Sequence, residues 1–255
     1  MHNGNGSMSI GYGNANGMDG VYATTTTFMP RDDTPHWYYI ELQATINFST
    51  GAVSNVTLVV DGTTRATVAG PFSAPYFNPV GYGFWSTAGG FDSGVCDVYL
   101  LDGTGSVNTT FIGDCRVENL IPTGAGANQA FALVGAGSHV AAVNDTTPDG
   151  DTGYLHATAV GQKETFVMSD LVSTSGTVKG VAVQNIAVKE SSTARNFRGV
   201  VRLGGADYTA PSGPSEPWQG GYRPAQGIFE VSPATGTTWT ASEVNSMEAG
   251  AEMVS

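Results

Sequence analysis

Short apolar runs separated by glycine-rich turns dominate this chain, and in two of them, from Ile40 onward and over residues 180–189 (GVAVQNIAVK), apolar positions alternate. Residues 37–46 (WYYIELQATI) combine aromatic and β-branched side chains, with apolar positions alternating from Ile40 onward, the pattern of a strand with one buried face. Residues 55–60 (NVTLVV) predict the next strand. Asp61-Gly62 then marks a hairpin turn into residues 63–68. Further strands are expected at 80–85, 95–101, 164–168, 178–189, 197–203 and 227–231, with Asp102-Gly103 as a second turn. Only one helix is expected. Thr240 and Glu243 form a capping box, Val244 and Met247 would face the core, Gly250 would end the helix, and residues 251–254 would return as a strand.

The spacing of these strands is that of β-sandwiches, so an all-β fold is expected. Residues 122–137 (PTGAGANQAFALVGAG) are small and uncharged and read as a connection. The expected organisation is therefore a first sandwich at residues 1–120, a glycine-rich linker at 121–137, and a second sandwich at 138–255 carrying the short helix. The 35 glycines and 12 prolines act as turn punctuation.

Composition narrows the function more than the fold. Charged residues make up 13% of the chain, about half the usual ~25%, and the formal charge is −12. Nucleic acid is an unsuitable partner for such a chain, because phosphate binding requires clustered Lys and Arg. The small basic group Arg195, Arg198 and Arg202 reads as a strand face paired with nearby acids. No apolar run approaches the ~20 residues needed to span a membrane, and the first 18 residues lack a secretory pattern. Cys96 and Cys115 have no metal-site spacing. A bridge would need them on adjacent strands, and two buried free thiols are the expectation.

Catalytic motifs are not found: there is no nucleophile elbow, phosphate loop, dinucleotide fingerprint or H-E-x-x-H zinc helix. The four histidines, at positions 2, 36, 139 and 156, are scattered. A sugar-cleaving sandwich would need two carboxylates across one strand face; the patterns Glu-x-Glu and Glu-x-Asp-x-x-Glu are absent, and most aspartates sit in turns. The expected chain is not an enzyme.

Two local features invite a binding reading. Asp145, Asp149 and Asp151, in the run NDTTPDGD, offer hard oxygen ligands for Ca2+, though without EF-hand spacing. An acidic turn without metal, and no cofactor, is the plainer reading. Among the aromatics, Tyr76, Phe77, Tyr82, Phe84 and Trp85 read as core filling. Trp218 and Tyr222, in PSGPSEPWQGGYRP, read as exposed rings suited to a sugar face or a protein contact.

The runs HWYYIEL, VTLVVDGTT and CDVYLLDGTGSVNTTFIGDCRVENLIPTGAG resemble those of tailed-phage virion structural proteins with a laminin-G/concanavalin A-like jelly roll. The resemblance is close over residues 37–126 and looser through DTTPDGDTGYL and GTTWTASEVNSMEAGAEMV. Cys96 stands where that pattern has the first Asp of a pair, leaving Asp97 alone. Only about 35 residues precede the HWYYIEL strand, so the first jelly roll is expected to be short at its N-terminus. Residues 1–20 are expected to be an arm placed by a neighbouring subunit.

The resemblance implies a non-enzymatic component of the virion, as head decoration, tail tip or fibre. It would assemble in the host bacterial cytoplasm, in contact with other virion proteins and copies of itself. A glycan-binding module for host attachment is the alternative, and a glycan-cleaving enzyme comes third.

Overall fold

Asp61 and Gly62 both adopt positive φ, 49° and 70°, the backbone of a two-residue primed turn that matches strand twist. The hairpin expected around them is present. The computed structural model describes residues 7–14, 17–29, 36–47, 49–50, 52–70, 72–73, 95–145, 147, 150–190, 195–211, 217 and 219–255. It is nearly all β, in two units, Met1–Val117 and Glu118–Ser255.

In the first unit, β1 (Ser9–Asn14) and β2 (Gly17–Thr24) form an antiparallel pair. β3 (Ile40–Asn47), β4 (Ala52–Val60) and β5 (Thr63–Val68) form a meander, and the short β6 (Phe72–Ser73) also pairs with β4. Ile10, Val53, Val56, Leu58 and Val60 make the buried core, with Met8, Phe28, Tyr38, Ile46 and Ala66 against it. Residues 7–14 are thus tied to their own unit. The expected neighbour-held arm is corrected to a hairpin strand, because Ile10 supplies the apolar anchor that the Gly- and Asn-rich composition concealed.

β3 departs from simple alternation. Ile40 pairs with Val60 and Leu42 with Leu58, so they share the core face by register, yet both remain exposed on a strand with no neighbour beyond it among the described residues. Glu41, on the opposite face, is buried. Residues 95–101 are not a strand; side-chain hydrogen bonds organise them instead, as described below. The strand expected at 80–85 and the five aromatics from Tyr76 to Trp85 lie outside the described residues.

The second unit is built on a five-stranded antiparallel sheet in the order β13-β12-β15-β10-β7. Its members are β7 (Pro122–Gln129), β10 (Lys163–Met168), β12 (Phe197–Leu203), β13 (Ala206–Thr209) and β15 (Glu248–Met253). β8 (Ala132–Val134) pairs with β9 (Tyr154–His156), and β11 (Val181–Ala187) with β14 (Arg223–Phe229). The expected linker at 121–137 is therefore corrected: most of it is β7 and β8. Its small residues are what the pairing needs, since a side chain at Gly126 would run into the Thr165 carbonyl.

The β11–β14 pair packs across the five-stranded sheet. Val181, Val183 and Phe229 meet Val201, Leu203 and Ala249 in one core with Trp239, Val244 and Met247. Burying each such side chain contributes on the order of 1.5–3 kcal/mol. The closest approach is at Gly227, where a Cβ would lie 2.6 Å from Ala210 Cβ and 3.2 Å from Gly199 Cα.

The helix α1 (Ala241–Ser246) begins as expected: the Thr240 hydroxyl accepts from the Glu243 amide, and the Glu243 carboxylate accepts from the Thr240 amide. Val244 and Met247 are buried. It ends earlier than expected, because β15 starts at Glu248 and takes Gly250 into the sheet, where Gly250 pairs with Thr165 and Val200.

Candidate functional site

The two local features singled out in the sequence meet in space. Asp151 lies in a single 3-10 turn, Gly150–Thr152, just before β9, and Tyr222 immediately precedes β14. Across 71 residues of chain the Tyr222 hydroxyl donates to Asp151 Oδ1 at 2.7 Å. Tyr222 is 38% exposed and Asp151 is exposed, so an aromatic ring and a carboxylate stand together at the surface. Trp218 and Asp149 lie outside the described residues. Asp145 is exposed. Among the described residues no three His, Cys, Asp or Glu side chains are grouped to hold a metal ion.

A second polar assembly covers the face of the five-stranded sheet away from its core. Asp207 of β13 accepts from Arg202 Nη1 at 2.5 Å, Lys163 Nζ at 3.2 Å and Asn128 Nδ2 at 3.2 Å. Partial burial resists ionisation of Asp207, but the Arg202, Lys163 and Asn128 donors outweigh it and hold the carboxyl below its ordinary value. Glu248 Oε2 accepts from the Thr165 hydroxyl at 2.6 Å and from the Ala127 amide at 2.8 Å, which secures the bulged part of β7. Lys163 also lies 4.0 Å from Glu252. Arg202 therefore pairs with an acid, as the strand-face reading of the basic group expected. The same-face spacings Arg198-x-Val200-x-Arg202 and Lys163-x-Thr165 were readable in the sequence; Asp207 meets Arg202 from the next strand, five residues on, but the carboxylates that meet Lys163 and Thr165 come from strands far away in the chain.

On the other face of β10, Glu164 is 1% exposed. Its carboxylate contacts His139 Nδ1 at 2.7 Å and accepts from the Phe131 amide at 3.0 Å. A buried carboxylate requires such partners, and here they fasten residues 131–139 to the sheet.

The first unit has a comparable anchor. Glu41 Oε1 accepts from the Tyr99 hydroxyl at 2.8 Å and from the amides of Ile112 and Gly113 at 2.9 and 3.2 Å. The Tyr39 and Tyr99 hydroxyls also hydrogen-bond to each other. Burial, reinforced by Glu41, pushes Tyr39 up to about 12; burial and the bonds to Tyr39 and Glu41 push Tyr99 higher still. Asp97, at φ 53°, accepts from the Val117 amide at 2.9 Å, and Asp102 closes a turn on Thr104. Carboxylates thus hold the amides of Thr104, Ile112, Gly113 and Val117, and no residue of 95–117 lies in a strand. Asp102-Gly103, expected to turn a hairpin, caps a loop. Cys96 and Cys115 are free, but Cys96 is exposed, against the expected burial, because the loop carries it outside any sheet.

Compared with family models, curated proteins and solved structures, the chain matches none of them. The resemblance to phage structural proteins rests on the sequence runs that carry it.

Proposed function

We propose that this chain is a non-enzymatic structural component of a tailed-phage virion, exposed on the particle as head decoration, tail tip or fibre. The observation that carries the reading is the motif series in the first unit, HWYYIEL, VTLVVDGTT and CDVYLLDGTGSVNTTFIGDCRVENLIPTGAG. The all-β architecture and the low charge agree with it. So does the use made of the ionisable clusters: Glu41, Glu164, Asp207 and Glu248 all bind the protein's own amides, hydroxyls and cations.

In this reading the chain works through its surface, against other virion proteins and copies of itself. Trp37 is 72% exposed, Leu42 58% and Leu100 81% in the first unit, and apolar surface of this kind is what subunit contacts remove from water.

The test is to purify particles of the phage that encodes the chain and count its copies by quantitative mass spectrometry, with immunogold labelling to place them. A fixed stoichiometric copy number on the head or tail is expected. Absence from washed particles would refute the reading.

A further inference from the structure

We draw no further inference here: the strongest candidate, the apolar edge of β3, where Ile40 and Leu42 stand exposed beside the core of the first unit with no neighbouring strand among the described residues, carries nothing, because nothing in the structure shows what covers it.

Discussion

Tyr99 donates its hydroxyl to Glu41 at 2.8 Å across 58 residues of chain, so an irregular loop is fastened to the sheet by one buried carboxylate. The amides of Ile112 and Gly113 share that acceptor. Replacing Glu41 by alanine strands three donors and should destabilise the first unit by about 2–4 kcal/mol. Hydrogen exchange is the direct measurement: the Ile112 and Gly113 amides should lose protection before β4 does. Unchanged protection at both would show that the carboxylate is not their anchor.

The same cluster sets an alkaline limit. Tyr39 is raised from 10.0 to about 12 and Tyr99 is raised as well, so the fold favours their neutral forms. Stability from this source is complete below pH 10, the unfolded value, and is lost as pH rises through about 12. Absorbance titration at alkaline pH should show two late tyrosines whose ionisation coincides with unfolding of the first unit, and Tyr39→Phe should remove one of them.

Asp207 works in the opposite direction. Its folded value lies below the ordinary 3.8, so its contribution is present above that pH and lost as pH falls through the folded value. Asp207→Asn should therefore lower the melting temperature at pH 7 and change it little at the acid end. An equal loss at both pH values would remove Asp207 from the acid limb.

The Gly227 contact predicts a size-dependent pair. Gly227→Ala places a methyl 2.6 Å from that of Ala210 and should cost about 1–3 kcal/mol in the second unit. Ala210→Gly in the same chain should recover part of that loss, followed through fluorescence of the buried Trp239. A double variant no better than the single would show that the strain comes from the Gly199 backbone.

The thiols should differ in reactivity. Cys96 is exposed, but the hydrogen bond to Asp97 raises its thiol above the ordinary value, which lowers its thiolate fraction. Native alkylation near pH 8 should label Cys96 slowly for so open a site, and Asp97→Asn should accelerate it. Denatured protein should take up two labels. Recovery of a disulfide from intact protein would contradict the free state.

What the sequence alone determined is local. The strands expected at 63–68 and 197–203 formed at those bounds, the first because the Asp61-Gly62 turn sets where its hairpin returns. Asp61-Gly62 specified its turn and Thr240-Glu243 its helix start, since each device closes within four residues. Tertiary structure decided everything that depends on a distant partner. β7 looked like a linker because Gly and Ala carry no pattern, and only the approach of Thr165 makes their smallness useful. Residues 95–101 had a strand's pattern but form no strand: the Tyr99 hydroxyl goes to Glu41 of β3, and the Asp97 carboxylate takes the Val117 amide, partners that the segment itself does not encode. Tyr222 and Asp151 were each visible as surface candidates, yet nothing in either segment encodes the other. Their contact depends on how β9 and β14 are placed, which is set by packing over the whole second unit.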